Sequence, residues 1–69
     1  MFDEIDNWFS YHAPTNDQIE KYAEIRTAAK EFAAVIVRNC LPSADRSAAI
    51  RKLRECVMTA NSSIACDGK

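Results

Sequence analysis

Apolar residues recur in steps of three and four along two long stretches of the chain. In the first, Ile19, Tyr22, Ile25, Ala29, Phe32, Ala33, Ile36 and Cys40 make one helical stripe. Thr15-Asn16-Asp17-Gln18 precedes it and fits a capping box, in which the Thr hydroxyl and the Gln side chain satisfy free amides at a helix start. Asp17 and Glu20 suit the positive end of the helix dipole. Pro42 disfavours helical geometry at Leu41, so this helix is predicted to end near Asn39 or Cys40. In the second stretch, Ile50, Leu53, Val57, Ala60 and Ile64 alternate steps of three and four, a heptad spacing suited to near-parallel helix axes. Ser43 stands as its N-cap, Asp45 falls in the first turn, and Gly68 is placed to follow the last. Residues 1–10 read as a shorter helix, with Phe2, Ile5 and Phe9 on one side and Trp8 adjacent.

The pattern therefore predicts an all-α chain, one helical-hairpin domain over residues 1–69, with helices over 1–10, 15–40 and 43–66. The link Leu41-Pro42 is short, and short links make consecutive helices antiparallel neighbours. Arms of about 24 residues would each run roughly 36 Å. Two such arms enclose little core, while ordering a chain of this length costs on the order of 100 kcal/mol. Val35 and Met58 also fall off the stripes, about 120° and 140° round their helices. Apolar residues on opposite faces point to further copies covering them, and so to a homo-oligomer. The alternative is that the short N-terminal helix covers one face.

Composition narrows the function. Nine Lys plus Arg against ten Asp plus Glu leave a formal charge of −1. That excludes binding of a nucleic-acid backbone by bulk charge, but not a small anion held by two or three placed cations. One Gly and two Pro argue against an all-β fold. No apolar run approaches the ~18 residues a membrane span needs. The start MFDEIDNWF is acidic, without the basic and apolar regions of a signal peptide. Cys40, Cys56 and Cys66 are odd in number and widely spaced. They are expected as free thiols in a reducing compartment, packed as small apolar residues, with no structural zinc.

Catalytic chemistry is hard to place. The chain has one histidine and no Gly-rich phosphate loop, and Glu20, Glu24 and Glu31 fall on a polar face. His12, beside Ala13-Pro14, reads as a turn or packing residue. Arg26 is more informative, because the helical wheel sets it between Tyr22 and Ala33, inside the edge of the apolar stripe. Lys30 lies one turn later and about 40° further out. Two readings stay open for this cation. Its stem can lie on the core with its head in water, or it can be an anion seat with a partly apolar wall, where a guanidinium grips a phosphate bidentately or stacks on a base. Tyr11 has two readings as well. It either packs the N-terminal helix on the hairpin or offers a ring face to a planar base.

The ordered series Ser10-Tyr11-His12-Ala13-Pro14-Thr15, Gln18, Tyr22, Ile25-Arg26 and Ala29-Lys30 resembles the first half of the hairpin domain of phage anti-CBASS cyclic-nucleotide sponges. Leu41-Pro42-Ser43, Arg46-Ser47, Lys52-Leu53, Val57-Met58, Ala60-Asn61 and Ile64-Ala65 resemble the second half. The resemblance implies a compact homohexamer in the cytoplasm of an infected bacterium. It would bind cyclic dinucleotides such as cyclic GMP-AMP without cleaving them, with no cofactor or metal and with neither DNA nor membrane as partner. It further implies that Tyr11 stacks on a base and that Arg26 meets the phosphates. The candidate ligand-binding set is Tyr11, Arg26, Lys30 and His12.

Some members of that family bind cyclic trinucleotides at a separate inter-subunit site. Two departures weaken this expectation here: Thr59 stands where an aromatic is common, and Cys66 where a basic residue often follows Ile-Ala. The main competing reading is a structural or protein-binding helical module without a small ligand. A helix-turn-helix DNA binder is disfavoured by the short link and the charge, which leaves Arg51, Lys52 and Arg54 as a solvated face.

Overall fold

Both long helices begin where their capping residues dictate. Thr15 is extended at φ −81°, ψ 165° and takes the amide of Gln18 at 3.1 Å on its hydroxyl. The Gln18 side chain returns to accept the Thr15 amide at 3.0 Å. Ser43 does the same for the second arm, accepting the Arg46 amide at 3.1 Å. The computed structural model describes residues 2–68. Met1, where the short helix was expected to start, lies outside the described residues, as do Lys69 and the side chain of Phe2. The helices are α1 (Phe2–Trp8), α2 (Asn16–Asn39) and α3 (Ala44–Ala65), with no strand among the described residues. The chain is all-α, and α2 and α3 pack against each other as a hairpin.

Each end of the hairpin is tied by side chains that reach unpaired helix carbonyls. At the closed end Arg46 Nη1 donates to the Cys40 carbonyl at 3.2 Å. At the open end Gln18 Nε2 donates to the Ile64 carbonyl at 3.0 Å, so one residue caps α2 and clips it to α3. The stop of α3 uses Asp67 as well as Gly68. Asp67 takes the left-handed conformation at φ 57° and Gly68 follows at φ 76°. Their amides return to Ile64 and Ser63 at 3.1 and 2.8 Å, the two bonds of a Schellman ending.

α1 sits on the last turns of α3 rather than along the hairpin. Its Asn7 donates from Nδ2 to the Cys66 carbonyl at 3.3 Å, and the Cys66 thiol lies 3.9 Å from the Asn7 carbonyl. Trp8 stands beside Thr59, Ser62 and Cys66 of the α3 end, Ile5 and Trp8 are partly covered at 38 and 52 % exposure, and Phe9 is left 84 % exposed. The helix also ends at Trp8, two residues short of the expectation.

Between α2 and α3 the seam is thin. Tyr22, Ile25, Ala29, Ala33 and Ile36 face Ile50, Leu53, Val57, Ala60 and Ile64, all of them only half-buried. Cys66 is the one buried residue among those described. The expectation that all three thiols pack inside therefore holds for Cys66 alone; Cys40 and Cys56 are exposed, on the closing link and on the back of α3. Phe32 also leaves the predicted stripe for solvent, because it stands about 80° round from the line through Ala29 and Ala33. The half-buried Asn61 keeps its Oδ1 buried without a hydrogen-bond partner within the chain.

The accessible surface totals 5724 Å², whereas a folded monomer of this mass shows about 4400 Å². The radius of gyration is 14.9 Å over extents of 44 × 27 × 15 Å, against about 11 Å for a compact chain of this length. Phe32, Val35, Val37, Leu41 and Met58 contribute apolar area to that excess.

Candidate anion-binding groove

One flank of the seam opens into a groove of about 360 Å³. Its floor is apolar, formed by Ala29 and Ala33 of α2 with Ile50, Leu53 and Val57 of α3. Small alanines on α2 leave room that larger side chains would fill. Met58, expected off the stripe, stands on the rim and is 59 % exposed. Arg26 and Lys30 rise from α2, and Arg54 rises opposite from α3. No carboxylate lines the groove.

The charges are sorted by helix geometry. At 100° per residue, Glu20, Glu24 and Glu31 fall within about 40° of one another on the back of α2, while Arg26 and Lys30 lie about 80–160° away. Residues three or four positions from Arg26 are Tyr22, Ala23, Ala29 and Lys30; those around Arg54 are Ile50, Arg51, Val57 and Met58. Neither arginine has an acid three or four residues away, the positions that share its helix face. The ion pair found among the described residues, Lys21 with Asp17 at 3.1 Å, lies elsewhere. Arg26, Lys30 and Arg54 thus form a cationic rim above an apolar floor with nothing of their own to neutralise it. Such a rim suits a compact anion with flat apolar parts, where guanidinium forks can grip phosphate and bases can rest on the floor.

Of the residues singled out from the sequence, Arg26 and Lys30 come together here, and Tyr11 and His12 do not. Arg26 stands ten residues into α2 from Asn16, about 15 Å along the axis. Tyr11 lies before α2 on the irregular link that follows α1, and it is 88 % exposed. His12 is half-buried and donates from Nε2 to the Asn7 carbonyl at 2.6 Å. That bond folds the link onto the end of α1, and His12 does not line the groove.

The sequence pattern sets Arg54 with Arg51 and Lys52 on a solvated face, whereas the structure places it on the groove. The signal was available. Arg54 precedes Val57 by three residues as Arg26 precedes Ala29, so each stands about 60° round from a seam position. A second recess, of about 500 Å³, lies at the open end between Gln18 and Ser63. Its Lys21 is already paired with Asp17, so it offers an anion little.

A family model described as the Acb2/Tad1 hairpin domain matches residues 1–65. No curated protein matches the chain, and neither does any solved structure.

The unpaired rim has a thermodynamic signature. Like charges four residues apart on a helix destabilise it by about 0.2–0.5 kcal/mol. Arg26→Gln, which keeps helix propensity, is expected to raise the melting temperature of the ligand-free protein by about 1–4 °C at low salt. The gain should vanish near 0.5 M salt as the repulsion is screened. Thermal melts at the two ionic strengths check this. A loss of stability at both would show that the guanidinium holds the fold together.

Proposed function

The chain belongs to the Acb2/Tad1 hairpin family, the anti-CBASS sponges, and on that premise we propose that it binds cyclic dinucleotides of bacterial CBASS immunity and sequesters them intact. The observation that carries this reading is the groove, with three unpaired cations over an apolar floor and no acid in its walls. A cyclic dinucleotide such as cyclic GMP-AMP brings two phosphodiester charges and two flat bases, which match a cationic rim and an apolar floor. Sequestration needs affinity and copy number rather than turnover, and a short chain is quickly made in quantity in the cytoplasm of an infected bacterium.

In this reading the site is shared between protomers. Tyr11 is exposed and far along the hairpin from Arg26, so the stacking ring comes from a neighbouring copy. The excess apolar surface supplies the reason for copies to assemble, and we take the assembly to be a homohexamer. Symmetry then presents Tyr11 and Arg26 in pairs to a nearly two-fold ligand. Stacking of roughly 1–3 kcal/mol per base and charge-assisted contacts of about 1.5–3 kcal/mol each make a tight site from few residues. A trinucleotide site has less support. Cys66, at the position where a C-terminal cation would serve it, is buried against Asn7 and has no basic side chain to offer.

Two measurements test the proposal. Sedimentation at micromolar concentration should give several times 7.8 kDa, near 47 kDa for six copies; a stable monomer would remove the shared site. Calorimetric titration with cyclic GMP-AMP and related dinucleotides should show binding by the wild type. Tyr11→Ala and Arg26→Ala should each weaken it by about 1–3 kcal/mol, roughly 5- to 150-fold. Lys30→Ala should do less, because its charge points further into solvent. Binding that is unchanged in both main variants would put the site elsewhere. No binding by the wild type would leave a structural helical module without a small ligand.

A further inference from the structure

We propose that Arg54 is a second phosphate-gripping residue of this groove, so that the ligand is held between the two arms of the hairpin and not by α2 alone. The inference rests on the dinucleotide-binding reading above and adds to it a residue on the opposite helix.

Three observations carry it. First, Arg54 lines the same groove as Arg26 and Lys30, and it is the cation that α3 contributes. Second, its placement mirrors that of Arg26. Each precedes a floor residue by three positions, Val57 in one case and Ala29 in the other, and so stands at the margin of the seam. Lys30, although on the same wall as Arg26, is turned about 40° further out. Third, Arg54 has no counter-charge. Its neighbours one turn away are Ile50, Arg51, Val57 and Met58, and no ion pair or hydrogen bond engages its side chain among the described residues.

The chemistry of the ligand class explains why a second arginine on the facing helix matters. A cyclic dinucleotide carries its two phosphodiesters on opposite sides of one ring. Within each protomer, cations on α2 alone would approach a phosphate from one wall of the groove, whereas Arg26 and Arg54 approach it from both walls. A guanidinium presents two parallel N–H donors to phosphate oxygens, and an ammonium in its place keeps the charge but loses the fork. Arg54 thereby becomes a contact to the ligand in its own right. Because the second contact comes from α3, ligand binding also clamps the thin seam between the arms.

The test is calorimetric titration of Arg54→Gln and Arg54→Lys with the dinucleotide that binds the wild type most tightly. Gln keeps helix propensity at an exposed position, and thermal melts control for folding. Arg54→Gln should bind about 10- to 150-fold more weakly than wild type, and its affinity should fall less with added salt, since one charge contact is gone. Arg54→Lys should recover part of the loss. Unchanged affinity and salt dependence in Arg54→Gln, alongside weakened binding in Arg26→Ala, would overturn the role of Arg54 and leave the dinucleotide reading standing. A wild type that binds no cyclic dinucleotide would overturn both.

Discussion

Two helices sharing one seam can bury only the residues along the seam, and every other feature of this chain follows from that shortage. The floor residues Ala29, Ala33, Leu53 and Val57 meet, yet none is closed off from solvent. What holds the arms in register is a set of polar ties at the ends, with Gln18 on the Ile64 carbonyl and Arg46 on the Cys40 carbonyl. At roughly 1 kcal/mol each, such ties fix geometry better than they supply stability. The excess accessible surface and the large radius of gyration express the same shortage. A chain built this way gains most by sharing its faces.

The open seam is also what makes a binding groove possible. A well-filled hairpin would have no recess beside it. Alanines at 29 and 33 keep the arms close while leaving the flank hollow, and the cations around the hollow stand without acids. The arrangement stores a modest like-charge repulsion that an anionic ligand would relieve. Stability and binding draw on the same residues here: filling the groove or pairing its arginines would strengthen the hairpin and abolish the seat.

Much of the fold was legible in the sequence because its signals are local. Thr15 with Gln18, Ser43, Pro42 and Gly68 each act within a few residues, and the hairpin, both N-caps and the end of α2 fell where they pointed. Features that depend on pairing were not legible. Whether Phe32 or Arg26 lies at the seam depends on how α3 is rotated, and the wheel of α2 alone does not contain that. Arg54 escaped because its own helix shows it beside Arg51 and Lys52, although its offset of three residues from Val57 matches that of Arg26 from Ala29. Cys66 became the buried residue because α1 docks over it through Asn7, a contact between residues 59 positions apart. Of the candidate site, the cations were readable from stripe edges. Tyr11 stands apart from them within one chain, and in the proposed reading a neighbouring copy brings it to them.

In the proposed reading this protein holds a cyclic dinucleotide without altering it. The most direct measurement is to incubate the purified protein with a panel of cyclic di- and trinucleotides, wash it, release the bound material by heat and chromatograph it. An intact cyclic dinucleotide should be recovered in a fixed ratio to protein. Linear or cleaved product would contradict this reading by revealing an enzyme, and an empty chromatogram would contradict it by showing no ligand at all.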